Sequence, residues 1–84
     1  MVDSAELKDL IRRHEVVAGL LARALKEISV IEAASTRAEP GAARRLLLDV
    51  VSKRKFAAML EERLLYLTEE LDRRQERILA DAAS

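Results

Sequence analysis

One interruption constrains this chain more than any other feature. Pro40-Gly41 brings together the only proline and one of the two glycines, near the middle of 84 residues. On either side of it apolar residues recur every third or fourth position, the spacing of one face of an α-helix. Proline disfavours helical geometry in the residue before it and lacks the N–H that a helix interior needs. In the first turn of a new helix it fits well. The other glycine, Gly19, stands alone inside a periodic stretch and marks no boundary. The chain therefore reads as a single all-α domain over 1–84, with two long helices and one bend.

The first helix is expected over about 4–37, starting at Asp3 or Ser4. Asp3 with Glu6 fits a capping box, and Val2 with Leu7 fits the hydrophobic staple that accompanies one. Its apolar stripe runs through Leu7, Leu10, Ile11, Val17, Ala18, Leu21, Ala24, Leu25, Ile28 and Ile31, with His14 in the one missing core position. The pattern fades at Ser35-Thr36, and the bend is expected at about 38–41. The second helix is expected to begin near Pro40 and to run over about 41–80. Its stripe reads Leu46, Leu47, Val50, Ala57, Leu60, Leu64, Leu67, Leu71 and Ile78, and Lys53 interrupts it. Beyond Leu71 the sequence turns polar on nearly every side, so a charged end that frays before Ser84 is expected.

Two long helices joined by a short connection pack as an antiparallel hairpin. At 1.5 Å per residue the arms span roughly 50 and 60 Å. With the bend near 38–41, Ile31 falls near Val50, Glu27 near Lys53 and His14 near Tyr66. The Glu27–Lys53 pairing gives the charge within the second stripe a partner.

Composition then says that a hairpin alone is too little. Half the residues are apolar, but only Phe56 and Tyr66 are aromatic, and cysteine is absent. A chain this small without disulfides relies on helix packing or on association. Apolar residues outside the two stripes have nothing in the hairpin to cover them: Val16, Leu20 and Val30 on the first arm, and Leu48, Val51, Phe56, Ala58, Met59, Leu65 and Tyr66 on the second. Uncovered apolar surface of this extent marks contact sites, and the natural remedy is a four-helix bundle made with another hairpin, identical or not. Charge order favours an identical one. Residues 44–55 hold Arg44, Arg45, Lys53, Arg54 and Lys55 against Asp49, a net +4. Residues 61–72 hold Glu61, Glu62, Glu69, Glu70 and Asp72 against Arg63, a net −4. Two second helices laid antiparallel set each basic half against an acidic one, crossing near Ala57-Ala58, where small side chains permit close approach. The expected partner or dimer interface is thus Val51, Arg54, Phe56, Ala57, Ala58, Met59, Glu62, Leu65 and Tyr66, with Val16 and Leu20 from the first arm. The alternative is that the charge blocks are simply a solvated face.

Little in the sequence points to catalysis or a cofactor. Fifteen basic and fifteen acidic residues cancel, whereas general nucleic-acid binding needs a clear basic excess. The basic groups Arg44-Arg45 and Lys53-Arg54-Lys55 lie too close to acidic residues on the same helix to form a phosphate-binding face. The longest uncharged run, Val16 to Ala22, is far short of the ~20 apolar residues of a membrane span. The opening Met-Val-Asp-Ser-Ala-Glu is acidic and is followed by no apolar signal core, so a cytoplasmic location is expected. There is no Gly-rich phosphate loop and no sensible triad around a Ser nucleophile, so neither enzyme activity nor a small-molecule substrate is expected. His14-Glu15 is the one pair resembling metal equipment, with Glu61 and Glu62 about one turn away on the other arm by the same register. A di-iron bundle needs Glu-x-x-His spacing on two helices, which is absent here, so no metal is expected.

Two family resemblances bear on this. Phe56-Ala57-Ala58-Met59-Leu60 resembles a segment of the encapsulated ferritins, also two-helix chains. That family carries a His before Ala-Ala-Met-Leu and a Glu three positions earlier as iron ligands. Phe56 and Lys53 stand at those positions here, which argues against ferroxidase activity. In outline the whole chain resembles the small helical-hairpin co-chaperones of type III secretion systems: one arm to Ala38, Glu39-Pro40-Gly41 at the bend, then Leu46-Leu47-Leu48 opening the other. Those proteins join a helical-repeat chaperone and keep a needle subunit from polymerising. The resemblance implies that the exposed apolar flanks of both arms bind the partner. The expected function is that of a helical adaptor, chaperone or co-chaperone, binding a helical partner or itself. The alternatives are a self-contained homodimeric bundle and a metal-binding bundle.

Overall fold

The computed structural model of the chain describes residues 4–83. It is a helical hairpin of α1 (Ser4–Ser35) and α2 (Pro40–Ala83), with no strand among the described residues. Ion pairs join Glu6 to Arg74 and Glu27 to Lys53, so positions descend one arm as they climb the other, and the arms are antiparallel. The molecule is a rod of 66 × 15 × 15 Å. At 1.5 Å per residue, the 44 residues of α2 alone account for about 66 Å of its length. The expected capping box and staple rest on Val2 and Asp3, which lie outside the described residues.

The bend follows from local hydrogen bonding. The last four carbonyls of a helix have no partner within it. Here Ser35 Oγ donates to Glu32 O at 2.7 Å, Thr36 Oγ1 to Ala33 O at 2.7 Å, and Arg37 N to Ala34 O at 3.2 Å. The two hydroxyls thus do what a left-handed glycine usually does at a helix end. No described residue has a positive φ. After residues 36–39, Pro40 opens α2, where its missing N–H removes nothing the helix would have used. The first intrahelical bond runs from Ala43 N to Glu39 O at 2.8 Å.

The arms meet along a seam in which residues alternate at spacings of three and four, the repeat of a coiled coil. On α1 it passes from Leu7 and Leu10 through Ala24 and Ile28 to Ile31; on α2 it passes from Leu46 and Val50 through Ala57 and Leu60 to Leu71 and Ile78. Its buried residues are Ala24, Ile28, Val50, Ala57, Leu60 and Leu67. Ala24, Ile28, Val50 and Ala57 form one cluster, with Leu21 and Ile31 packed against it. Ile31 and Val50 are together there, as the register arithmetic expects.

The seam is narrower than the stripes read from sequence. Ile11, Leu25 and Leu47 belong to those stripes, yet they are 43%, 47% and 48% exposed. Two helices cover only the positions that face each other directly. The third apolar position of each heptad points past the partner, and only a further helix would bury it.

Three polar side chains occupy the seam, and each finds a partner on the other arm. Lys53 Nζ reaches Glu27 Oε2 at 3.2 Å, as expected. Arg74 Nη1 reaches Glu6 Oε2 at 2.8 Å, while its buried Nε has no hydrogen-bond partner. His14 Nε2 lies 3.2 Å from Thr68 Oγ1. That hydroxyl also donates to Leu64 O at 2.8 Å, which leaves its lone pairs facing the imidazole. The expected proximity of His14 to Tyr66 is therefore corrected. The seam places Leu64 and Leu67 towards α1, and Tyr66, about 100° from Leu67 around the helix, turns outward at 57% exposure.

Candidate interaction surface

The candidate site is the part of the hairpin surface that its own seam leaves apolar. Thirteen large apolar side chains among the described residues are exposed. Scattered singly they would mean nothing, since much of any protein surface is apolar. Here they are ordered. On α2, Leu48, Val51, Ala58 and Leu65 follow one another in the same three-and-four rhythm as the seam, with Lys55, Glu62 and Glu69 at the intervening positions. All seven are exposed. Met59 and Tyr66 flank this line on one side and Leu47 on the other. Helix α2 thus carries two heptad faces on nearly opposite sides. One is filled by α1, and the other is left uncovered among the described residues.

The expected interface residues divide accordingly. Val51, Ala58, Met59, Glu62, Leu65 and Tyr66 lie together on the outer face of α2. Arg54 is at its edge, where Arg54 Nη2 donates to Glu32 Oε1 at 2.6 Å across the bend end of the hairpin. Phe56 sits on the other flank, in a shallow depression shared with Leu20, Ala24 and Lys53. Val16 and Leu20 are exposed on α1, Leu20 in that same depression. Ala57 is not on this surface, which corrects its assignment to the interface. It is buried against α1, and its small side chain permits close approach within the hairpin; the outward-facing small residue is its neighbour Ala58. Sequence reasoning also left out Leu79, which is exposed near the end of α2, in step with Leu65 two heptads earlier. Continuing the Val51–Ala58–Leu65 spacing by two further repeats is the signal that finds it.

An open groove of about 590 Å³ runs between the arms, lined by Val17, Met59, Leu60, Glu62, Arg63 and Tyr66. It joins the seam to the outer face of α2. Its walls are largely apolar, with Glu62 and Arg63 at the rim, the composition that receives one face of an amphipathic helix.

The charges of this surface are partly unspent. Within the hairpin, Lys53 and Arg54 are taken by Glu27 and Glu32, and Arg73 is held by Glu70 at 2.7 Å. Glu69 makes only a 4.0 Å contact with Arg73. Arg44, Lys55 and Glu62 have no ion pair among the described residues. The basic-then-acidic order along α2 therefore survives on the outer face after the internal pairs are subtracted.

Around His14 the structure gathers a hydroxyl rather than carboxylates. Glu61 and Glu62 are exposed, and no group of three or more His, Cys, Asp or Glu among the described residues is placed to hold a metal ion. No described helix is long and apolar enough to cross a membrane. Comparison with protein-family models, curated proteins and solved structures finds no match for this chain.

Proposed function

We propose that this chain is a helix-binding module, an adaptor or chaperone-like protein that works by covering its outer apolar faces with helices of another hairpin or of a partner protein. The observation that carries this reading is the second heptad face of α2, exposed along nearly five turns between Leu48 and Leu65. Such a face in water is an unfavourable arrangement for a monomer and an ordinary one for a subunit. Helix-in-groove recognition uses anchors at these spacings. The overall outline of the type III secretion co-chaperones fits the same mode of action, in which hairpin flanks shelter a helical partner.

The test is a pair of substitutions that leave the seam alone, Met59→Lys and Leu65→Lys. Circular dichroism should show unchanged helix content, and light scattering or cross-linking in native extract should show loss of the assembly that the unaltered chain forms. An unaltered chain that stays monomeric, and cross-links to no other protein, rejects the reading.

A further inference from the structure

The outer face of α2 is patterned to receive itself. Building on the helix-binding reading above, we propose that its occupant is α2 of a second copy of this chain, packed antiparallel about a two-fold axis that passes close to Phe56 and Ala57.

The argument rests on the order of charges along the face. Read from the bend, it presents Arg44, Leu48, Val51, Lys55, Ala58, Glu62, Leu65 and Glu69. Its cations all precede Ala58 and its anions all follow it. A parallel pairing sets like on like at each charged layer. An antiparallel pairing that places Leu48 against Leu65 of the second copy sets Arg44 against Glu69 and brings Lys55 within one turn of Glu62. Two-fold symmetry repeats each of these contacts. They involve the side chains that the hairpin leaves without strong partners: Arg44, Lys55 and Glu62 have no ion pair among the described residues, and Glu69 has only its 4.0 Å contact. Ala58, next to the axis, is small enough to let the two helices approach closely. A foreign helix would have to reproduce this reversed order of apolar and charged residues, whereas a second copy carries it already.

Surface area points the same way. The chain exposes 6695 Å², against about 5,000 Å² for a compact folded monomer of its mass. The excess of about 1,700 Å² per chain, about 3,400 Å² for two chains, falls in the range that obligate homodimers bury. The charges would set direction and partner choice, and the apolar layers would supply most of the affinity.

The experiment uses the full chain. Sedimentation between about 1 and 100 micromolar should show a monomer–dimer equilibrium, because association follows mass action. The absence of cysteine allows single spin labels through Ala42→Cys and Ser52→Cys, both exposed and off the seam. In the antiparallel dimer the Ser52 labels lie close, while the Ala42 labels are separated by about 45 Å along the axis at 1.5 Å per residue. In a parallel dimer both pairs lie close. Lys55→Glu and Glu62→Lys should each weaken the dimer about tenfold by setting like charges together twice, and the double swap should restore it to within about threefold. Circular dichroism on the same samples confirms that the hairpin is intact. A short Ala42 distance, or a double swap that fails to restore affinity, overturns the antiparallel self-pairing while leaving the helix-binding reading in place. A chain that remains monomeric but loses a foreign partner on Leu65→Lys does the same. A chain that remains monomeric with no partner overturns both.

Discussion

At the scale of single residues, the hairpin depends on a few tightly packed positions and is indifferent to many large ones. Leu67 is 2% exposed, whereas its neighbour Tyr66 is turned outward. Leu67→Ala is therefore expected to cost about 2–5 kcal/mol in urea unfolding, the usual range for emptying a packed core site. Lys53 makes the opposite case. Its ion pair with Glu27 is largely exposed and contributes about 0–1 kcal/mol, while it occupies a seam position where an apolar side chain would be covered. Lys53→Leu should raise the urea midpoint, and it should also loosen the register, since a polar residue in the seam fixes alignment at a cost in stability. Most of this was legible in the sequence. The Glu27–Lys53 pair follows from the register alone. The His14 contact does not, because an error of two residues along a helix rotates a side chain by more than half a turn, and Tyr66 and Thr68 point in different directions. Ala57 was placed twice, in the stripe facing α1 and at the outer crossing point beside Ala58, and the packing of α1 keeps the first placement and removes the second.

At the scale of elements, the two helices were legible because propensity and periodicity agree over long runs. Their ends were less so. α1 stops at Ser35, two residues short of the expected end, because Ser35 and Thr36 turn their hydroxyls back onto the last carbonyls. Replacing both with Ala removes those two hydroxyl donors and should lower stability by about 1 kcal/mol per lost bond, measured by thermal unfolding. Gly19 offers the reverse test. It lies exposed in the interior of α1, has no positive φ, and an added methyl group would meet nothing within 4 Å. Gly19→Ala should raise stability by about 1 kcal/mol, the difference in helix propensity. The width of the contact between the arms was the element-level feature that sequence could not give. An apolar residue at the third heptad position reads the same whether one helix or two will cover it, and Ile11, Leu25 and Leu47 show that within this chain only one does.

At the scale of the whole molecule, the rod is far from the shape that minimises surface. Its radius of gyration is 18.9 Å, against about 12 Å for a compact domain of this length. A rod of two helices has a one-layered core and gains little cooperativity from depth. If association supplies the rest, the melting temperature should climb with protein concentration, by mass action on the folded form; differential scanning calorimetry over a hundredfold dilution series checks this. A melting temperature independent of concentration would show that the seam alone suffices. The antiparallel arrangement also fixes how the molecule responds to load. Ser4 and Ala83 lie at the same end of the rod, far from the bend, and Glu6 is tied to Arg74 across 68 positions of chain. Force applied through the two ends therefore meets the seam one layer at a time, as a zipper is opened, and never shears all layers together. The free hairpin would yield gradually at low force, whereas the same helices gripped at the bend and at one end would resist along their full length.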